Sequence, residues 1–196
     1  MASDIAAFPP SAVRLSVSAA GAESVRFGAD GTERETSRHL LRADGWLHWD
    51  YTVRDERGDA HHSCDGTAIR STLPGRGGTR HCPVPDPPTR DDPLYFCSWT
   101  AFARGWFAEM LRPVDLLARV RVTSTGDPDG EGRMRMAAEP TGSELSPYSG
   151  FSLTGRRRLE LVLDTRRGCF TEVTVVHRDS AGADRSSFHR LTRPDP

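Results

Sequence analysis

Three residue types are missing from this chain. The 196-residue sequence contains no lysine, no asparagine and no glutamine, so all 26 of its basic residues are arginines. The absence of lysine excludes Schiff-base chemistry, which needs a lysine amine. Surface charge alone would not exclude all three residue types, so we attribute the bias to the codon usage of a GC-rich genome.

The chain also lacks a net charge of either sign and a long apolar run. Its 26 basic and 27 acidic residues give a formal charge of -1, which predicts no attraction for nucleic acid or for an anionic membrane surface. No window reaches the length of a membrane span, so no span is expected. Residues 1–10 have neither the basic nor the apolar region of a signal peptide, which predicts a cytoplasmic protein, or an exported one if a signal peptide has been removed.

Several motifs that carry chemistry are absent. The four cysteines contain no Cys-x-x-Cys pair, which disfavours a zinc ribbon or a redox dithiol. Two disulfides and four free thiols both remain possible, and the missing signal peptide favours thiols. No nucleophile elbow, phosphate-binding loop, dinucleotide fingerprint or His-Glu-x-x-His helix occurs, so hydrolase, kinase and dehydrogenase functions are disfavoured. We predict neither a cofactor nor a metal site.

The clearest pattern that is present is a hairpin over residues 157–177. Leu159, Leu161 and Leu163 alternate with polar residues, and the segment 165–168 forms the turn. Residues 46–53 alternate in the same way and put Leu47, Trp49, Tyr51 and Val53 on one face. Strands with one apolar and one polar face are typical of an antiparallel sheet that is covered on one side.

The order of elements predicts an α+β fold with one strongly curved antiparallel sheet, an incomplete β-barrel, and a helical lid. Short strands occupy residues 13–73, with 32–41 burying little surface. A Pro- and Gly-rich loop spans 74–93, a helical region spans 98–120 with Pro113 opening a second helix, and further strands follow. The length fits a single domain over residues 1–196.

Four short motifs carry a resemblance to a known family: Asp65-Gly66-Thr67, Arg112-Pro-Val-Asp-Leu-Leu117, Gly132-Arg133 and Leu159-Glu-Leu-Val-Leu-Asp164. With these separations, residues 13–193 resemble the LolA/LolB and RseB-like lipoprotein-carrier superfamily. The resemblance implies a LolA-like half-barrel that closes around a helical lid and binds acyl chains without a cofactor. The chain departs from the family pattern because it has no lipobox cysteine. Residues 107–118 are also similar to the helix pair of the VioE-like branch, which implies cofactor-independent biosynthetic chemistry.

Two functions follow from this resemblance, and both place a cavity under the lid. The first is binding of a hydrophobic small molecule or acyl chain. Its pocket would be lined by apolar residues of the sheet and lid: Leu47, Trp49, Tyr51, Trp106, Met134, Met136, Leu159 and Leu161. The same residues would also suit an ordinary hydrophobic core. A third possible function is that of an exported lipoprotein carrier or sensor. The sequence leaves a homodimer open for each of these functions.

The second function is a VioE-like enzyme of a secondary-metabolite pathway, with Tyr51, Glu109 and His177 as proton-handling residues. Glu109 follows Trp106 by three residues and therefore shares its side of the helix, where an apolar cavity would raise its affinity for protons. An exposed or capping position is the alternative for Glu109. His177 continues the face of Val173 and Val175 and is the histidine expected to face the cavity. The neighbours His61 and His62 face opposite sides of a strand, which disfavours joint metal binding, and a solvated position at a strand edge is expected for them instead.

Overall fold

A computed structural model of the chain describes residues 19–45, 48–83, 105–142, 150–153, 157–178 and 181–192. These residues form eleven strands and two short helices. The strands are β1 Ala19–Phe27, β2 Glu33–Gly45, β3 His48–Asp55, β4 Gly58–Asp65, β5 Ala68–Thr72, β6 Thr79–Pro83, β7 Val120–Thr125, β8 Arg133–Pro140, β9 Arg157–Asp164, β10 Cys169–Arg178 and β11 Asp184–Thr192. The helices are α1 Gly105–Leu111 and α2 Pro113–Leu117.

The strands form a single antiparallel sheet in the order β6-β5-β4-β3-β2-β1-β11-β10-β9-β8-β7. Strands that follow one another in the chain pair with each other except for β6 and β7, and β1 also pairs with β11, which joins the first half of the sheet to the second. Strands β6 and β7 lie at opposite ends of this order and do not pair with each other, so the sheet stays open. The predicted α+β architecture with an incomplete antiparallel barrel is confirmed.

Helix α1 lies against the apolar face of this sheet. Phe107 and Ala108 pack in one buried cluster with Trp49 and Tyr51, while Met110 packs in a second cluster with strands β8 to β10. Trp106 contacts both clusters, which requires the sheet to curve around the helix. An isolated helix of this length is unstable in water, so these contacts hold it. No helix among the described residues is long and apolar enough to cross a membrane.

The opposite face of the sheet is polar and lies toward solvent. Glu23 of β1 pairs with Arg38 of β2 at 3.3 Å and with Arg190 of β11 at 2.9 Å, and all three side chains are at least partly exposed. Arg54 on β3 continues the row with Asp59 on β4 at 3.0 Å. Because this face carries a ladder of charges, it is a poor surface for an apolar ligand.

Several sequence expectations can be compared with these elements. Trp49, Tyr51 and Val53 share a buried face as predicted, and Pro113 begins α2. The expectation that the second strand buries little surface is wrong, because His39 and Leu41 of β2 are buried. The predicted loop 74–93 contains β6, whose position at the sheet edge explains how it tolerates Pro83 at its end.

Three further expectations concern the cysteines, the segment 13–18 and Leu47. Among the described residues, Cys64 and Cys169 are free, buried thiols. Burial raises the pKa of the Cys169 thiol to about 11. The expected strand at 13–18 and the predicted pocket residue Leu47 lie outside the described residues.

Candidate functional site

A cleft of about 950 Å³ opens at one end of the helix-covered face. Its walls are the β1–β2 turn, the start of α1, residues 150–152 and the ends of strands β9 to β11. Phe27, Trp106, Phe151 and Val175 supply its large apolar side chains. The volume lies at the upper end of the range usual for small-molecule sites.

Aromatic and imidazole rings form the floor of the cleft. The ring centroids of Trp106 and His189 lie 4.4 Å apart, and those of Phe151 and His189 lie 5.0 Å apart. His39 meets Trp106 edge to face at 4.9 Å. Such offset and edge-to-face contacts fix the rings relative to one another, so the floor is a rigid surface that an apolar group can pack against.

A buried ion pair holds this floor in position. Arg119 donates through Nη1 to Oε1 of Glu109 and through Nη2 to the Phe151 carbonyl oxygen at 2.7 Å. Oε2 of Glu109 accepts the backbone N–H of Phe151 at 2.8 Å. Gly150 approaches the carboxylate so closely that a Cβ atom would overlap it. Glu109 therefore links α1 to residues 150–151 and fixes the position of Phe151.

This arrangement corrects the sequence interpretation of Glu109. The residue is not exposed, because its side chain is 0% exposed, and its carboxylate bonds to Arg119 and to the Phe151 backbone, both outside its own helix. It also does not line the cleft. Both carboxylate oxygens accept hydrogen bonds from buried partners, which is the geometry of a structural anchor.

Polar side chains continue from the cleft floor into the sheet. Ser37 Oγ lies 2.8 Å from His39 Nε2, and His39 Nδ1 lies 2.7 Å from the Tyr51 hydroxyl. The ring of Tyr51 stacks on that of His62 at 6.1 Å, and His62 Nδ1 lies 3.0 Å from Ser71 Oγ. Burial lowers the pKa of His62. Tyr51 thus lies in a hydrogen-bonded chain that spans strands β2 and β3.

A second serine–histidine pair lies on β11. His189 Nε2 is 3.1 Å from Ser187 Oγ, whereas His189 Nδ1 is buried and has no hydrogen-bond partner among the described residues. Burial, with smaller contributions from His39 and Arg26, lowers the pKa of His189 to about 3. A pocket of about 50 Å³ separates this pair from Ser37, and Ser24 and Trp106 also line it.

The buried histidines were missed by sequence reasoning. His39 and His189 each follow a serine by two residues, and on a strand this spacing puts both side chains on one face. The Ser-x-His motif therefore occurs in two strands, and in both of them its serine and histidine lie on the covered face of the sheet. His61 and His62 face opposite sides of β4 as expected, but the expected solvated position is wrong for His62, which is buried, and holds for His61, which lies on the exposed face within 3.3 Å of Asp50.

The predicted site residues fall into different surroundings. Trp106 and His177 line the cleft. The remaining described residues of the predicted pocket belong to the packed clusters, fully buried or partly buried: Trp49, Tyr51, Met134, Met136, Leu159 and Leu161. The three predicted proton-handling residues are not assembled at the cleft, because only His177 lines it. Among the described residues no group of three or more His, Cys, Asp or Glu side chains could hold a metal ion.

Comparison with known proteins returns solved structures only. No protein-family model and no curated protein matches this chain. MucB is 15% identical with a TM-score of 0.37, over 90% of this chain and 54% of MucB, so this chain spans about half of MucB's length. LprF from Mycobacterium bovis is 11% identical with a TM-score of 0.43, over 91% of this chain and 86% of LprF.

A LolA superfamily protein from Nitrosomonas europaea is 11% identical with a TM-score of 0.32, over 91% of this chain and 86% of its own. The superfamily that the sequence motifs resemble is thus among the matched structures. At these identities and TM-scores, the matches say nothing about the ligand or activity of this chain.

Proposed function

We propose that this protein binds a hydrophobic or amphipathic small molecule, such as an acyl chain, in the cleft over Trp106, and that it does so without a cofactor. The observation that carries the proposal is the cleft itself. About 950 Å³ of space is lined on its floor by Trp106, Phe151 and Val175. Trp106 is only partly buried and therefore offers apolar surface to a ligand, whereas Phe151 and Val175 are each 4% exposed and belong to the packed cluster beneath it.

The ion pair beneath the cleft supports this proposal. Arg119 and Glu109 fix Phe151, and the ring contacts with His189 fix Trp106. A ligand would therefore meet a surface that is already ordered, and binding would cost little side-chain entropy. Burying an aromatic or aliphatic group against such a surface contributes about 1.5–3 kcal/mol per large side chain removed from water.

A neutral fluorescent probe tests this function without involving charge. N-phenyl-1-naphthylamine should bind saturably with enhanced fluorescence, and Trp106→Ala should weaken it by about tenfold or more, since roughly 1.4 kcal/mol corresponds to a factor of ten. Val114→Ala is the matched control, because Val114 is 38% exposed and does not line the cleft. Unchanged binding in Trp106→Ala would remove the cleft as the binding site.

One observation favours a second candidate function, proton-transfer chemistry on a bound molecule. Each ring nitrogen of the buried His39 lies within hydrogen-bond distance of a hydroxyl group, that of Ser37 on one side and that of Tyr51 on the other. Ser37 also lines the small pocket beside Trp106. A histidine held in this way can act as a general base toward Ser37. If this candidate holds, a fluorophosphonate should label Ser37, and Tyr51→Phe should slow the labelling. Ser187 is the internal control, because no group in the described part of the chain hydrogen-bonds to Nδ1 of its histidine, His189.

A further inference from the structure

The small pocket of about 50 Å³ beside Trp106 adjoins the cleft. The two spaces have four lining residues in common: Arg26, Glu35, Trp106 and His189. Two serines, Ser24 and Ser37, line the small pocket and not the cleft. A molecule that lies against Trp106 in the cleft can therefore extend one end into a space with more polar walls.

Three polar side chains stand side by side in the small pocket. In the register of the sheet, Ser24 of β1 is opposite His189 of β11 on one side and opposite Ser37 of β2 on the other. Directly opposite residues of an antiparallel pair place their Cβ atoms about 4.5–5.5 Å apart. Since all three residues line the pocket, their polar groups surround a space that one small group fills.

His189 supplies the polar atom that most needs a partner. Its side chain is 94% buried, since only 6% of it is exposed. Nε2 lies 3.1 Å from the hydroxyl of Ser187, a residue of the cleft wall that does not line the small pocket. Nδ1 is buried and has no hydrogen-bond partner within the described part of the chain. A buried polar atom is costly without a partner, so a group in the small pocket gains by bonding to Nδ1.

Size and charge restrict that group. A water-sized group needs about 10–15 Å³, so the small pocket admits only a few non-hydrogen atoms. Arg26 and Glu35 pair with each other at 2.9 Å, and burial lowers the pKa of His189, so the walls carry no net charge at pH 7. A charged group would lose its hydration there without gaining a counter-ion, which favours a neutral group.

From this juxtaposition we infer that the ligand ends in a hydroxyl group, which binds in the small pocket to His189 Nδ1 and the two serines. The apolar chain of the same molecule then lies against Trp106 in the cleft. A hydroxyl group both donates and accepts, so it satisfies Nδ1 in either tautomer of the neutral imidazole. This inference rests on the proposed function and names the class of its ligand, a primary alcohol with an apolar chain.

Displacement of bound N-phenyl-1-naphthylamine at pH 7 tests the inference with three molecules that share one alkyl chain. These are 1-octanol, 1-fluorooctane and octanoate. The fluoride has nearly the size of the alcohol but cannot donate a hydrogen bond. We expect 1-octanol to bind about fivefold more tightly than either of the others, as one net hydrogen bond predicts. Packing in the cleft alone would favour 1-fluorooctane, because the hydroxyl group loses its hydration on binding.

Ser24→Ala and Ser63→Ala form a matched pair of variants, because each removes a serine hydroxyl from a strand. Ser63 of β4 lines neither the cleft nor the small pocket. Ser24→Ala should weaken 1-octanol about threefold or more and leave 1-fluorooctane unchanged, while Ser63→Ala changes neither. Circular dichroism should show that both variants are folded.

A measurement on the unaltered protein gives a second, independent readout. In protein labelled with ¹⁵N-histidine, the Nδ1 resonance of His189 should shift when 1-octanol binds and stay in place with 1-fluorooctane. The ring nitrogen reports its own hydrogen bond, so this readout does not depend on how any variant folds. An Nδ1 resonance that 1-octanol leaves unchanged would contradict a hydroxyl group at this position.

The outcomes separate this inference from the proposed function. Binding of 1-fluorooctane as tight as that of 1-octanol, or equal effects of the two serine variants, would overturn the hydroxyl site while cleft binding stands. Tightest binding of octanoate would overturn the neutral class of the ligand, and displacement by none of the three would overturn the alcohol. Failure of the neutral probe to bind would instead contradict the proposed function.

Discussion

Gly150 lies against the carboxylate of Glu109, and a Cβ atom at position 150 would overlap that carboxylate. The overlap involves a side chain held by two buried partners, Arg119 and the Phe151 backbone. Glu109 therefore cannot move aside without breaking hydrogen bonds. The close approach explains why a glycine stands at this position.

Gly150→Ala should lower the free energy of unfolding by about 1–3 kcal/mol, because the added methyl group overpacks a buried site. Urea denaturation measures this. Gly130→Ala is the matched control, since a Cβ atom there would meet nothing within 4 Å. Equal stability of the two variants would show that the carboxylate is not fixed at this place.

Glu109→Gln should destabilise the protein by about 3–5 kcal/mol, because it leaves the charge of Arg119 buried without its counter-ion. Arg119 is 6% exposed in this pair and Glu109 is 0% exposed. Glu139→Gln breaks the exposed pair with Arg121 and should cost no more than about 1 kcal/mol. Denaturation midpoints of the two variants should differ accordingly, and similar midpoints would contradict an anchoring role for Glu109.

Trp49→Ala should cost about 3–5 kcal/mol, as expected for removing a large aromatic side chain from a core. Trp49 is 4% exposed and packs in the cluster that contains Phe107. Because Trp49 does not line the cleft, a folded fraction of this variant should retain its affinity for the neutral probe. A denaturation midpoint equal to that of the wild type would place Trp49 outside the core.

Acidification should destabilise the protein through His189. In the folded protein the pKa of His189 is about 3, below its ordinary value of 6.5, so the unfolded state binds more protons between these values. The stability that the neutral form provides is complete above pH 6.5 and is lost as the pH falls toward 3. Through this residue, the free energy of unfolding changes by at most about 1.4 kcal/mol per pH unit.

His189→Gln removes this contribution. Between pH 7 and pH 5, the wild type should therefore lose about 2 kcal/mol more stability than the variant, as measured by urea unfolding at each pH. Restricting the range to pH 5 and above limits the contribution of carboxyl groups. Parallel pH profiles would show that His189 is accessible to protons in the folded state.

The sequence predicted the sheet better than the site, for physical reasons. Alternation in β3 and β9 identifies Trp49, Tyr51, Leu159 and Leu161 as one apolar face, because side chains on a strand alternate between faces. Alternation alone does not show whether a helix fills that face. In this structure α1 fills most of it, and the cleft remains only beyond Trp106.

The cleft depends on contacts between distant segments that local patterns do not reveal. Phe151 reaches it through Glu109, which lies 42 positions earlier in the chain. Arg157, His177 and Arg185 meet through strand register, which the hairpin turns fix. For His177, the alternation from Val173 and Val175 was sufficient, since its strand ends at the cleft.

The most direct test of the account locates the bound alkyl chain. In isotopically labelled protein saturated with dodecanoate, nuclear Overhauser effects should connect the chain protons to the Trp106 indole and to the Val175 methyl groups, because both line the cleft. Effects to the buried ring of Trp49 should be absent. A bound chain with contacts to Trp49 and none to Trp106 or Val175 would contradict binding in this cleft.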